Sequence, residues 1–127
     1  RTGVGAVSTG QDGSVIHLSD DYGVSLGARG SVGHRAILHA CIIDDEVLVG
    51  MGAIVMDGTE IGARSIIGAG AVVTQHQKIP PGSLVLGSPA RVVRNLTEVE
   101  QRKNLKLANK YIHMARFHRE HLAKLNN

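Results

Sequence analysis

Large aliphatic residues recur along the chain at intervals of six, and this spacing constrains the fold more than any other feature. The steps are six residues long, apart from a step of ten after Ile16 and one of five after Leu38. The series consists of Ile16, Leu26, Val32, Leu38, Ile43, Val49, Val55, Ile61, Ile67 and Val73. A small or aliphatic residue often follows four positions later, at Ala36, Val47, Ala53, Ser65 and Ala71. A repeat sustained this far predicts a solenoid, in which each repeat packs on its neighbours.

The period of six excludes the two ordinary amphipathic patterns. A half-buried strand has a period of two, and a helix repeats its apolar residues at spacings of three and four. A short strand followed by a tight corner fits six residues, with one aliphatic side chain pointing inward. Three such repeats close one triangular coil, and coils stack at the strand spacing of about 4.8 Å. Glycine often follows the inward residue, as in Val32-Gly33 and Val49-Gly50, where it relieves crowding of the turning backbone.

The composition agrees with a narrow aliphatic interior and argues against several classes of function. The 127 residues are 43% hydrophobic but include one Phe, two Tyr and no Trp. The net charge of +3 and the few aromatic residues argue against nucleic acid as a partner. No apolar run reaches the roughly 18 residues of a membrane-spanning helix, so no membrane partner is expected. The single cysteine, Cys41, leaves no intramolecular disulfide and favours a reducing compartment, which predicts a cytoplasmic protein.

The repeat pattern ends at Pro80-Pro81, and a helix follows it. Proline has no amide proton to donate, so these residues predict the end of the ladder of strands. Thr97-Glu98-Val99-Glu100 has the spacing of a capping box, which opens a helix. The sequence therefore predicts a β-solenoid over residues 1–94. It also predicts that residues 95–127 form a C-terminal α-helix that packs its apolar face on the solenoid.

Four segments resemble the hexapeptide-repeat proteins of the gamma-class carbonic anhydrase group, close to the hexapeptide proteins of carnitine operons and the phenylacetate pathway. The segments are Gln11-Asp12-Gly13-Ser14-Val15-Ile16-His17, Val32-Gly33-His34-Arg35-Ala36, Leu48-Val49-Gly50-Met51-Gly52-Ala53 and Leu86-Gly87-Ser88-Pro89-Ala90. Counting hexads from Val4 gives four to five coils, and the resemblance implies an all-β solenoid that winds as a left-handed parallel β-helix. Members of the family usually have further coils before the Gln-Asp-Gly segment, so we expect a longer parent protein.

Two of the seven histidines share one position in the repeat. His17 follows the inward Ile16 by one residue, and His39 follows the inward Leu38 by one. Three hexads plus four extra residues separate Ile16 from Leu38, and a loop at 19–23 accommodates the extra four. The two histidines should therefore lie on the same face, one coil apart, with backbones about 5 Å from each other. Two imidazoles so placed can share one metal ion, at bonds of about 2.0–2.1 Å.

His34 lies at another position of the repeat, two residues after the inward Val32, and so on the preceding face. Within its own chain it cannot easily reach an ion held by the other two. The resemblance implies a metal between the subunits of a homotrimer, with two histidines from one chain and one from the next. Carried over residue by residue, the metal ligands are His17, His34 and His39. The ion is Zn²⁺, or Fe²⁺ or Co²⁺, which three imidazoles also accept.

The resemblance assigns roles to two residues before the first ligand. Gln11 lies six residues before His17 and corresponds to a glutamine that serves near the metal, where its amide would orient bound water or bicarbonate. It is the candidate catalytic residue, and an ordinary outward-facing polar residue is the alternative. Asp12 corresponds to an aspartate at the subunit interface, a structural role, and it is equally suited to cap the Asp-Gly corner.

The sequence predicts a metal-dependent enzyme of the gamma carbonic anhydrase type. Three neutral nitrogens leave a metal ion an open position for water, whose pKa falls to about 7, and the resulting hydroxide would hydrate carbon dioxide reversibly at the trimer interface. Two other classes stay open. One is an acyl-group enzyme, a hexapeptide acetyltransferase or a CoA-thioester hydrolase, with a histidine base and a groove between coils for the pantetheine arm of an acyl-CoA. The other is a catalytically silent trimeric subunit.

Overall fold

The computed structural model describes residues 24–106 and, before them, the backbone of three short strands at 3–4, 9–10 and 15–17. Its strands form three sheets, and the chain visits the sheets in turn. At the end of the described part, residues 98–106 are helical. No helix in these residues is long and apolar enough to span a membrane.

From β1 to β14, every third strand belongs to the same sheet, which is the topology of a three-sided solenoid. The first sheet contains β1 Gly3–Val4, β4 Ser25–Leu26, β7 Ile42–Ile43, β10 Glu60–Ile61 and β13 Lys78–Ile79. The second contains β2 Thr9–Gly10, β5 Ser31–Val32, β8 Leu48–Val49, β11 Ile66–Ile67, β14 Ser83–Gly87 and β15 Ala90–Asn95. The third contains β3 Val15–His17, β6 Ile37–His39, β9 Ile54–Val55 and β12 Val72–Val73. Strands β1 to β12 thus make four coils, and β13 and β14 begin a fifth, which confirms the predicted count.

The aliphatic residues of the six-residue series form the core. Neighbouring coils pair in parallel and in register, so that Val49 lies beside Val32 on one side and Ile67 on the other. All members of the series after Ile16 are buried, namely Leu26, Val32, Leu38, Ile43, Val49, Val55, Ile61, Ile67 and Val73. The small residues four positions later are buried as well. Each coil therefore adds its own layer to one continuous column of side chains.

The glycines that follow inward residues are required by the neighbouring coil. A Cβ atom on Gly33 would lie 2.6 Å from the amide nitrogen of Met51, and one on Gly50 would lie 2.5 Å from that of Ala69. Neither glycine has a positive φ angle. Close approach between coils, rather than a turn that only glycine can adopt, accounts for these two positions.

The ladder continues one strand beyond the point that the prolines predict. Strand β14 pairs in parallel with β11, and Val85 lies fully buried beside Ile67. Pro80 and Pro81 lie at the corner between β13 and β14, where the ladder needs no amide proton. Parallel stacking ends only at β15, which folds back antiparallel on β14.

The predicted capping box opens the helix. The Thr97 amide donates to Glu100 Oε1 at 3.0 Å, and the Glu100 amide donates to Thr97 Oγ1 at 3.2 Å. The guanidinium of Arg94 also binds the Glu100 carboxylate in a bidentate fashion, with each of its two nitrogens 2.7 Å from an oxygen. The predicted packing of this helix depends on residues 107–127, which lie outside the described part, so the division at residue 94 stays a prediction.

Candidate metal centre

The register of the third sheet places His17 directly beside His39. Strands β3 and β6 pair in parallel, with Ile16 beside Leu38 and His17 beside His39. Parallel strands lie about 4.8 Å apart, so these two positions are one coil apart on the same face, as the repeat predicts. For His17 the structure describes only the backbone.

The imidazole of His39 contacts a carboxylate from the next coil. Its Nδ1 atom pairs with Oδ1 of Asp57, and the two side chains are 38% and 27% exposed. A carboxylate accepts a hydrogen bond, so a neutral imidazole here carries its proton on Nδ1 and presents the lone pair of Nε2. This is the form in which histidine binds a metal, with a carboxylate as partner of the second nitrogen.

Asp57 is a site residue that the sequence reasoning missed. It lies two residues after the inward Val55, in the corner that follows β9, one coil beyond His39. It lies one position later in its repeat than His39 does, so the count that aligns His17 with His39 does not place it beside them.

The structure places His34 on another edge of the solenoid. It lies in the corner after β5, on the second sheet, with its side chain exposed. Its carbonyl accepts a hydrogen bond from the Gly52 amide at 2.8 Å. Among the residues whose side chains are described, no group of three or more His, Cys, Asp or Glu is placed to hold a metal ion. One chain therefore aligns His17 with His39 and leaves His34 apart from them.

An open apolar groove runs along the second sheet beside His34. Its volume is about 380 Å³, and its lining comes from three successive coils. The lining includes His34, Leu48, Met51 and Ile66 together with the glycines at positions 33, 50 and 68. Met51 lies in the corner after β8, and its side chain is 61% exposed.

Cys41 lies close to the site but does not take part in it. Its side chain is buried, and this burial raises the pKa of the thiol to about 12, with the negative charge of Asp57 acting in the same direction. The thiol is thus protonated at neutral pH, and it is neither a nucleophile nor a metal ligand in this state.

The imidazole of His39 fits the predicted class of metal. Zn²⁺, Fe²⁺ and Co²⁺ all accept neutral imidazole nitrogens, and His39 has the orienting carboxylate that such ligands usually have. Gln11 and Asp12, the other two predicted site residues, lie outside the described residues, and their roles stay predictions.

Comparison with known sequences identifies the repeats and two kinds of relative. A family model described as bacterial transferase hexapeptide (six repeats) matches residues 40–75. The mitochondrial gamma carbonic anhydrase 1 of Arabidopsis thaliana is 34% identical over 127 residues, which cover 95% of this chain and 46% of the relative. The carnitine operon protein CaiE of Escherichia coli K12 is 41% identical over 90 residues, covering 71% of this chain and 46% of the relative. The chain thus spans about half the length of these two relatives.

A third relative matches over most of its own length. It is a Methanocaldococcus jannaschii protein named "Probable carbonic anhydrase", 47% identical over 112 residues. The match covers 88% of this chain and 70% of that protein.

Solved structures of hexapeptide proteins share the fold. A Bacillus cereus protein described as a "putative acetyltransferase" gives a TM-score of 0.84 at 35% identity, covering 94% of this chain and 77% of that one. A hexapeptide-repeat acetyltransferase of Vibrio cholerae, solved with acetyl coenzyme A, gives 0.57 at 27% identity and covers 66% of this chain and 55% of that one. These likenesses confirm the predicted fold class.

Proposed function

Because this chain belongs to the hexapeptide-repeat family and has gamma carbonic anhydrases among its relatives, we propose that it forms a metal-dependent carbon dioxide-hydrating site. The observation that carries the proposal is the register of His17 beside His39 on one face of the solenoid. The active protein would be a homotrimer, and we propose that it works in the cytoplasm. Its substrates are carbon dioxide and bicarbonate.

The three histidines would divide between two chains. His17 and His39 would hold the metal from one subunit, and His34 of the neighbouring subunit would complete the set. The exposed position of His34 on a different edge supports this division, because an exposed side chain can meet a second chain. When bound, Zn²⁺, Fe²⁺ or Co²⁺ lowers the pKa of a coordinated water to about 7.

The protein's own groups would orient the reactants, which are carbon dioxide and water. Gln11 can place the substrate by hydrogen bonds from its amide, without adding charge to the site. Carbon dioxide is small and apolar, and aliphatic surface such as that around Leu48 and Ile66 suits it. These roles need no large conformational change, because the coils are held together by continuous parallel ladders.

The test is carbon dioxide hydration by the protein loaded anaerobically with Zn²⁺, Fe²⁺ or Co²⁺. We expect activity that requires the metal and is lost in His17→Ala. His118→Ala is the matched control, because the sequence assigns no metal role to that histidine, and it should retain activity. A metal-loaded trimer with hydration no faster than His17→Ala would overturn the proposal.

The groove beside His34 favours one alternative, an acyl-CoA enzyme. It is long, apolar and open, as a pantetheine arm requires, and the exposed His34 could act as a base at its edge. Protection of the protein by acetyl-CoA against thermal unfolding, lost when Met51→Glu places a charge in the groove, would support this alternative. If acetyl-CoA and free coenzyme A both leave the unfolding temperature unchanged, the acyl-group function is excluded.

A further inference from the structure

We propose that Asp57 is the positioning residue for His39, holding its imidazole in the tautomer that presents Nε2 to the metal. The inference rests on the proposed function in naming a metal as the partner of Nε2. The tautomer itself is a property of the metal-free protein. Asp57 touches no substrate or metal in this scheme and acts only through His39.

The choice of partner distinguishes Asp57 from other paired carboxylates of the chain. Among the described residues, the remaining ion pairs join a glutamate to an arginine or a lysine: Arg29–Glu46, Lys78–Glu60, Arg94–Glu100 and Arg102–Glu98. Within this part of the chain, Asp57 is the carboxylate that pairs with an imidazole. The Asp57 side chain is 27% exposed and that of His39 38%, so neither end of the pair is a fully solvated surface group.

Backbone hydrogen bonds from both neighbouring coils hold the corner that carries Asp57. The Gly58 amide donates to the Ala40 carbonyl at 2.9 Å, which ties the corner to the coil of His39. The His76 amide donates to the Asp57 carbonyl, also at 2.9 Å, which ties it to the coil on the other side. A carboxylate fixed in this way can impose an orientation on the imidazole that it contacts, and not merely follow it.

Glycine at position 58 keeps the corner in this geometry. Gly58 has a φ of +73°, and a Cβ atom there would collide with the imidazole ring of His76. The corner is thus packed against the next coil as well as hydrogen-bonded to it. Of the two histidines that flank the corner, only His39 contacts the Asp57 carboxylate in the described residues.

The chemistry of imidazole explains what the contact would supply. A neutral imidazole in water populates both tautomers, and the form with its proton on Nε2 has no lone pair there for a metal. A carboxylate at Nδ1 selects the other form and fixes the plane of the ring. Loss of such a partner typically weakens metal binding by about ten- to a hundredfold.

The first experiment needs no metal. In protein labelled with ¹⁵N-histidine, at a pH about two units above the ordinary imidazole pKa of about 6.5, the two-bond ¹⁵N–¹H pattern reports the tautomer. The His39 signals are identified by their loss in His39→Ala. We expect the Nδ1–H form in the wild type and a shift towards the Nε2–H form in Asp57→Ala, with no shift in Asp44→Ala. A wild type that is mainly Nε2–H, or an unchanged Asp57→Ala, would overturn the inference.

The second experiment measures Co²⁺ binding by its visible spectrum. Asp57→Asn, which keeps the volume of the side chain, should bind Co²⁺ about ten- to a hundredfold more weakly, with an altered spectrum and an unchanged unfolding temperature of the apo-protein. Asp44→Asn, an exposed corner carboxylate, should behave as wild type. In a His39→Ala background, Asp57→Asn should have no further effect, and an additive loss would contradict action through His39. If the wild type binds no Co²⁺, the proposed metal function fails, and the tautomer measurement still decides the role of Asp57.

Discussion

At the scale of single residues, neighbouring side chains at the third sheet differ in their chemistry because of burial. Cys41 lies two residues after His39, and its thiol is buried in the core. Burial raises the pKa of this thiol to about 12, while the His39 ring next to it remains partly exposed and in contact with a carboxylate. The histidine is thus a partly exposed polar group, and the cysteine acts as a small core residue.

Cys41 should resist alkylation in the folded protein. At pH about 8 a free thiol with an ordinary pKa of about 8.5 reacts readily with maleimide, but a buried thiol with a raised pKa does not. We expect no labelling within an hour under native conditions and one label per chain after unfolding in guanidinium, measured by mass spectrometry. Rapid native labelling would show that the core opens at this coil.

The sequence predicted that His17 and His39 lie side by side, but it did not predict that Asp57 contacts His39. His17 and His39 stand at the same position relative to an inward aliphatic, so counting alone aligned them. Asp57 comes from the next coil and is shifted by one position in its repeat, and its contact with His39 depends on how the corner turns. That turn involves Gly58 at positive φ, which a spacing argument does not describe.

At the scale of the strand, two adjacent isoleucines face opposite sides. In β7, Ile43 points into the core and is 4% exposed, while Ile42 faces outward and is 46% exposed. Successive side chains of a strand alternate between faces, so the same residue type experiences two different environments.

The ladder of parallel strands also continues through β14, because the two prolines lie at a corner and not within a strand. The order of proline and glycine in the sequence does not distinguish a corner from the end of the ladder.

Replacing these two isoleucines should separate the core from the surface. Ile43→Ala removes buried methylene groups and leaves a cavity, so we expect a loss of about 2–5 kcal/mol in the free energy of unfolding. Ile42→Ala should change it by roughly 0.5 kcal/mol or less, as for most exposed positions. Urea unfolding followed by circular dichroism measures both. Equal losses for the two variants would contradict the inward assignment of Ile43.

The start of the helix should be sensitive to acid. Hydrogen bonds from Arg94, and then from the Thr97 amide, lower the pKa of Glu100 from 4.5 to about 2. A carboxyl group with a lowered folded-state pKa contributes stability above its unfolded-state pKa, and that contribution disappears as the pH falls through the folded-state value. We expect Glu100→Gln to unfold at a lower temperature than wild type at pH about 7, with the difference vanishing near pH 2.

Glu98→Gln is the control for this pH dependence. Glu98 lies in the same first turn but is 87% exposed and only pairs with Arg102 along the helix. It should have little effect on the unfolding temperature at any pH. A difference for Glu100→Gln that persists unchanged at pH 2 would mean that the charge of Glu100 is not what stabilises the cap.

At the scale of the whole molecule, the proposed metal ligands do not all lie on one face of a single chain. The solenoid aligns His17 with His39 on one face and carries His34 on another edge. The stacked coils hold these edges apart, and under the proposed function a second copy would therefore supply the third ligand. The sequence could predict the solenoid because a six-residue spacing of aliphatic residues fits neither a helix nor a half-buried strand, but does fit a short strand followed by a corner. Spacing alone could not derive the proposed trimer, because the repeat specifies how coils pack within a chain and not what the outer faces of the solenoid contact.

The most direct test of a site shared between subunits is complementation between two inactive variants. His34→Ala retains His17 and His39, and His39→Ala retains His34, so a mixed trimer contains wild-type interfaces although neither homotrimer does. After unfolding and refolding an equimolar mixture with metal, we predict carbon dioxide hydration at about one quarter of the wild-type rate, the random frequency of such interfaces in a cyclic oligomer. Each variant refolded alone should remain inactive. If the mixture is no more active than its components while wild type refolds to full activity, the site does not lie between subunits.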